Sequence, residues 1–208
     1  MMMMTIDPTP APNVILASAS IVRKRLLIAA GINIITTPAH VDEEAVKQAH
    51  KADGTSAVDT ATALAEIKAL RISSSVPGAL VIGADQILVC GGEWFDKPQD
   101  MDHAKGHLCA LRGQTHELAT AAVVVRDGVR IWHHAETPRL TMRPFTDAFI
   151  DEYLTREGVD ILSSVGAYRL EGLGAQLFSR IEGDFFSILG LPLLALLDFL
   201  RLHRVVPL

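Results

Sequence analysis

One carboxylate, three spaced cations and a second acidic pair are the side chains of this sequence best suited to chemistry on a polyanion. Asp85 ends the apolar run VIGAD, where Gly83 and Ala84 leave a small-residue gap beside it. Burying a carboxylate is costly unless it is ion-paired, hydrogen-bonded or metal-bound, so Asp85 needs a partner. The plain alternative is a structural aspartate at a strand bend. Arg23, Lys68 and Lys97 can neutralise a polyphosphate, while Glu43, beside Asp42, supplies a second carboxylate. Magnesium takes oxygen ligands and commonly bridges one or two carboxylates to substrate phosphates. Glu43 and Asp85 are therefore the expected ligands of a divalent cation, magnesium or manganese, with Asp85 alternatively orienting water. Taken singly, Lys68, Lys97 and Glu43 read as ordinary solvated residues; together they describe a phosphoanhydride site.

The run VILASASIVRKRLL, residues 14–27, points to the same chemistry from another direction. Val14, Ile15 and Leu16 predict a short buried strand, Ser18 and Ser20 can cap, and Ala29, Ala30 and Gly31 close a helix of about ten residues. Arg23, Lys24 and Arg25 then fall in the first turns of that helix, where the backbone dipole already carries roughly +0.5 charge. A phosphate relieves both the crowded charge and the free N–H donors. Arg23 is the phosphate ligand in this reading, and Lys24 and Arg25 are solvated.

These residues must be positioned by an α/β framework. INIITTPA predicts a strand, VDEEAVKQA a turn into a polar helix, and residues 59–73 a helix capped by Asp59 or Thr60. ALVIGADQILVC reads as a long strand, turned by Gly91 and Gly92 into EWF, with a helix over residues 100–111 after KPQD. Two further strands across residues 116–135 join at Asp127-Gly128, followed by a polar strand TPRLTMRPF and a helix from Thr146 to about Arg156. GAYRLEGLGAQLFSRIEGD is expected to be a loop before a closing apolar helix that starts near Pro192. Strands and helices interleave without repeat or linker, which predicts one mixed central sheet flanked by helices, in a single domain over residues 13–208 after a flexible tail over 1–12.

Composition narrows the function classes. A net charge of -5 over 208 residues argues against general nucleic-acid binding, which needs a basic excess. The leading methionines and TIDPTPAP lack the basic and apolar regions of a signal peptide, and LGLPLLALLDFLRL falls short of a membrane span, so a cytoplasmic protein without membrane association is expected. Cys90 and Cys109 stand alone, as reduced cysteines at apolar sites.

The motifs LASASIVRKRLL, VDEE, ALAEIKA, VIGADQ, the Lys97-Pro98 pair, LRGQTHE, GAYRLEGLGA, RIEGD and GLPL resemble, in order and spacing, the Maf-like nucleoside triphosphate pyrophosphatases. The resemblance implies an ITPase-like α/β fold with a nucleotide cleft, hydrolysis of a nucleoside triphosphate between its α and β phosphates, a divalent cation and a homodimer. It implies that Asp85 accepts the proton of the attacking water. It also implies that Ser18, Ser20 and Arg23 bind phosphate and that Glu43, Lys68 and Lys97 line the cleft. Val22, Gln86 and Glu171 stand where the family sets substrate choice. Gln86 and Glu171 resemble the branch acting on 7-methyl-GTP, whereas the dTTP and UTP branch shows threonine and glutamine. A glutamate accepts hydrogen bonds from a guanine edge that uracil cannot offer. Ile21 and Val22 depart from the proline and large residue usual after the second serine, and Ala121 replaces a common glycine. The family's link to septum formation suggests an alternative output, nucleotide sensing by binding without turnover.

His103 and His107 have a helical spacing compatible with zinc but no third ligand, and are expected to be a surface pair. His133 and His134 should face opposite sides of a strand. Arg180, Glu182 and Asp184 read equally as an ion-paired turn or as substrate contacts.

Overall fold

The computed structural model describes residues 13–207, and the tail expected over residues 1–12 lies outside them. The chain opens with β1 (Val14–Leu16), α1 (Ile21–Ala29) and β2 (Ile34–Thr36), the two strands lying parallel. Next come α2 (Glu43–Ala52), α3 (Ala57–Ser73), the long β3 (Leu80–Cys90) and β4 (Glu93–Phe95). α4 (Met101–Leu111) leads to β5 (Thr115–Arg126), β6 (Val129–Glu136) and β7 (Arg139–Met142). α5 (Asp147–Glu157) and three short 3-10 segments precede β8 (Phe178–Glu182), α6 (Phe185–Ile188) and α7 (Leu193–Leu202).

All eight strands form one mixed sheet in the order β2-β1-β3-β5-β7-β8, with β4 added to β3 and β6 to β5. The sheet forks at its centre. Along one edge, β3 pairs with β1 over Leu80 to Ile82 and with β4 over Leu88 to Cys90, leaving Gly83 to Ile87 without a strand partner on that side. The other edge is an unbroken antiparallel ladder to β5 from Val81 to Val89. Asp85 and Gln86 lie inside the fork, held rigidly from behind and open in front. α3 packs across this ladder through Ala61, Ala65 and Ala69, all fully buried. The approach is so close that a Cβ on Gly83 would stand 1.9 Å from the Ala65 carbonyl oxygen.

α7 closes one side of the sheet, burying Leu193, Leu196, Phe199 and Leu200 against β1 and β3 residues Val14, Leu16, Leu80 and Ile82. Its cap is Pro192. Asp127 and Gly128, at φ 50° and 77°, make the hairpin turn between β5 and β6 that the sequence predicts. Among the described residues, no helix is long and apolar enough to cross a membrane.

Several sequence expectations change. α3 begins earlier than predicted: Ser56 caps it by accepting from Asp59 N–H, and donates its hydroxyl to the Asp59 carboxylate at 2.6 Å. Residues 178–182 form edge strand β8 instead of loop, because main-chain pairing with β7 needs no alternating apolar pattern in a mostly exposed strand. His107 is buried, not superficial; it stacks edge-on against Phe95, with its Nε2 3.1 Å from that of His103. The exposed Cys109 is not at an apolar site, and Cys90 is half-buried.

Candidate functional site

The site is assembled where the sheet forks. Ser20 caps α1 by accepting the Arg23 N–H at 3.3 Å, while Ser18 turns inward and accepts the Ser20 N–H at 3.2 Å. Of the two serines expected to cap, only Ser20 does so. The Arg23 side chain then reaches back to the sheet. It donates from Nη1 to the Ala84 carbonyl at 2.8 Å and to Ser18 Oγ at 3.3 Å, and from Nε to the Gly190 carbonyl at 2.7 Å. Ala84 is one of the fork residues with no β-strand partner on that edge, so Arg23 caps a carbonyl that the sheet leaves free. Its partners are neutral, and its positive charge therefore remains uncompensated at close range. Burial lowers its proton affinity, while Asp85 and Glu43 push it back up. Lys24 and Arg25 point into solvent.

Asp85 and Lys68 meet from opposite layers. β3 delivers Asp85, α3 delivers Lys68, and Lys68 Nζ lies 2.5 Å from Asp85 Oδ1 with both side chains almost fully buried. The same ammonium is 2.8 Å from Glu43 Oε1, at the first residue of α2. Asp85 Oδ2 is buried with no hydrogen-bond partner among the described residues. Burial would raise the Glu43 carboxyl, but Lys68, and then Lys47 and Lys97, outweigh it and hold Glu43 below the usual carboxylate range. Lys97 forms no ion pair among the described residues, and burial, Arg23 and Lys68 all lower its proton affinity.

Gln86 faces the same space with its amide orientation fixed. Its Nε2 lies near three oxygens: Thr120 Oγ1 at 2.7 Å, Ser187 O at 3.0 Å and Ile188 O at 3.2 Å. Those acceptors assign nitrogen to the inner position and leave Oε1 as the outward acceptor. Across the cleft, the loop after α5 brings Tyr168 and Glu171 to the wall. Tyr168 is fixed from behind by His116 Nε2 at 2.8 Å, and burial holds His116 at about 4, so it is neutral at ordinary pH.

The cleft has a volume of about 410 Å³ and is lined by every site residue inferred from the sequence, including Ser18, Ser20, Val22 and Glu171. Lys47 and Asp96 also line it, and the sequence reading missed them. They are ion-paired, joining α2 to the segment between β4 and α4. Two signals were present: Lys47 is four residues after Glu43, on the same helix face, and Asp96 adjoins Lys97. Arg180 and Glu182 pair with each other at 2.7 Å, and Asp184 caps α6, the structural alternative for that motif.

The Maf-like protein family model matches residues 13–203. The chain belongs to this family. Among its relatives, the nucleoside triphosphate pyrophosphatase of Granulibacter bethesdensis is 55% identical over 92% of this chain and 98% of its own. The protein from Mesorhizobium japonicum named 7-methyl-GTP pyrophosphatase is 50% identical over 90% of this chain and 94% of its own. A 7-methyl-GTP pyrophosphatase from Rhizobium meliloti is 48% identical over 91% and 96% respectively. The mixed sheet with flanking helices is the architecture expected of a Maf-like chain. Ala121, at the position where the family commonly has glycine, is fully buried directly across the ladder from Asp85.

Proposed function

We propose that this Maf-like chain is a nucleoside triphosphate pyrophosphatase, a hydrolase that releases pyrophosphate and leaves the nucleoside monophosphate. The observation that carries the reading is Asp85, a cleft-lining residue: one oxygen is fixed by Lys68, while the other is buried and without a hydrogen-bond partner among the described residues. Oδ2 is placed to take the proton from a water whose oxygen attacks the α phosphorus as the bond to the bridging α-β oxygen breaks. The leaving pyrophosphate carries away the bond's electron pair. Arg23 and Lys97, whose charges are not neutralised by a protein carboxylate, hold the phosphates. Ser18 and Ser20 shape the loop at the helix N-terminus, where backbone donors face an anion.

A divalent cation, magnesium or manganese, fits the donor set. Among the described residues there is no group of three or more His, Cys, Asp or Glu side chains arranged to hold a metal. Glu43 and Asp85 are the carboxylates that would hold it, through the oxygens not paired with Lys68 and with phosphate and water completing the shell; Asp85 Oδ2 serves either as that ligand or as the base. When bound there, the cation offsets phosphate charge and polarises the phosphoryl oxygens.

The base end favours a donor-rich nucleobase edge. Gln86 Oε1 and the Glu171 carboxylate are acceptors, matching the N1–H and exocyclic amine of guanine, including 7-methylguanine. Val22 contributes a small apolar wall where a larger contact is usual. The relatives named for 7-methyl-GTP support this choice over dTTP or UTP. The test is a panel of 7-methyl-GTP, GTP, dTTP, UTP and CTP with magnesium, then with chelator. Pyrophosphate as first product, fastest from the guanine compounds and lost on chelation, is expected. Orthophosphate as first product overturns the reaction, and tight binding without turnover favours nucleotide sensing.

A further inference from the structure

We infer that Glu136 is a positioning residue for base selection, acting on Gln86 through Ser187; the inference rests on the reading of the cleft given above. Glu136 ends β6 and pairs across the ladder with Thr120 of β5. Its Oε2 accepts the Ser187 hydroxyl at 2.8 Å, and its Oε1 lies 3.1 Å from His134 Nε2 at the outer face of the sheet. Ser187 is fully buried, and its N–H is held by Asp184 at 2.7 Å. Its carbonyl accepts from both Gln86 Nε2 and the Thr120 hydroxyl, each at 3.0 Å.

This arrangement determines which atom of Gln86 faces the cleft. The Thr120 hydroxyl has one proton, and its acceptors are Ser187 O at 3.0 Å and Leu118 O at 3.4 Å, so toward Gln86 it accepts. Ser187 O and Ile188 O are likewise acceptors, and both belong to α6, a single turn of helix. Any shift of α6 loosens two of the three contacts that keep the amide nitrogen inward. Asp184 fixes the start of that turn and Glu136 fixes its side, from a strand that contributes no residue to the cleft. Without the carboxylate, or without the hydroxyl, α6 loses this side-chain tether to β6 and the turn is free to move. Gln86 is then free to rotate and present its donor end, and discrimination between base edges falls.

The experiment compares the wild type with Glu136→Ala, Glu136→Gln, Ser187→Ala and the Glu136→Ala/Ser187→Ala pair, reading the ratio of kcat/KM between the best and poorest triphosphates of the panel. Glu136→Ala and Ser187→Ala should each lower that ratio about tenfold, the worth of roughly one hydrogen bond. The double variant should lower it no further, because both act through one contact. Glu136→Gln retains an acceptor for Ser187 and should stay within about twofold of the wild type. Should Glu136→Ala not fold, Ser187→Ala carries the same comparison. Calorimetric binding of 7-methyl-GMP, GMP and UMP reads the ratio without turnover. No pyrophosphate from any triphosphate overturns the reaction but leaves this binding ratio measurable. Folded Glu136→Ala and Ser187→Ala variants with an unchanged ratio, additive losses in the pair, or no base preference in the wild type would each overturn the inference.

Discussion

The ammonium of Lys68 lies 2.5 Å from Asp85 Oδ1, an ion pair with both members buried, and leaves Asp85 Oδ2 unpartnered. One oxygen is therefore a fixed anchor, and the other is the proposed base. Asp85→Asn preserves the shape and an acceptor for Lys68 while removing the base. A folded Asp85→Asn protein should lose about 100-fold or more in kcat, the usual worth of a positioned general base. Stopped-time pyrophosphate release checks this, and wild-type turnover would remove Asp85 from the reaction.

As a proposed phosphate ligand, Lys97 should give the site an alkaline limit. Its proton affinity is lowered by burial and neighbouring cations, so its positive charge is lost at a lower pH than for an ordinary lysine. KM for the triphosphate should rise as pH increases through that range. Lys97→Arg, which stays charged, should move the rise to higher pH. Steady-state KM profiles for the two proteins decide it.

Neutral His116 makes stability depend on acid. Its ordinary value of 6.5 is depressed to about 4 in the folded protein, so the unfolded chain takes up the proton first. The contribution is fully present above pH 6.5 and is lost as pH falls toward 4, amounting to about 3 kcal/mol. Urea midpoints between pH 7 and pH 4.5 should fall more steeply for the wild type than for His116→Gln.

Gly83→Ala should be among the most damaging single-methyl changes. The added carbon would stand 1.9 Å from the Ala65 carbonyl oxygen, forcing α3 away from β3 and taking Lys68 away from Asp85. A loss of about 3 kcal/mol is expected, at the upper end of ordinary overpacking. Thermal denaturation measures it directly.

α2 is attached differently. It buries none of its residues and is held by polar contacts, including Lys47 to Asp96 and Lys51 to Glu93. Asp96→Ala should therefore increase amide exchange in α2 without lowering the melting temperature by more than a few degrees. Unchanged exchange in residues 43–52 would show that the ion pair does not fasten the helix.

Much of the frame was legible because its signals are local. The VIL strand, the Ser20 cap, the long apolar β3 and the Asp127-Gly128 hairpin each follow from neighbouring residues and their backbone preferences. β8 was not legible, because its pairing with β7 is a long-range main-chain event without an alternating side-chain pattern. Ser56 was overlooked as a cap because Asp59, three residues later, carries the same chemistry.

By itself, the sequence determined which charged side chains could serve a polyanion: Arg23, Glu43, Lys68, Asp85 and Lys97 could be grouped by charge and by the cost of burying a carboxylate. Only the tertiary structure decided which of them meet. The fork in the sheet exposes the Ala84 carbonyl that holds Arg23, and the packing of α3 on β3 gives Lys68 to Asp85. It also supplied Lys47 with Asp96, and the buried path from Glu136 to Gln86. These depend on atoms far apart in the chain meeting at hydrogen-bond distance, which residue order alone does not specify.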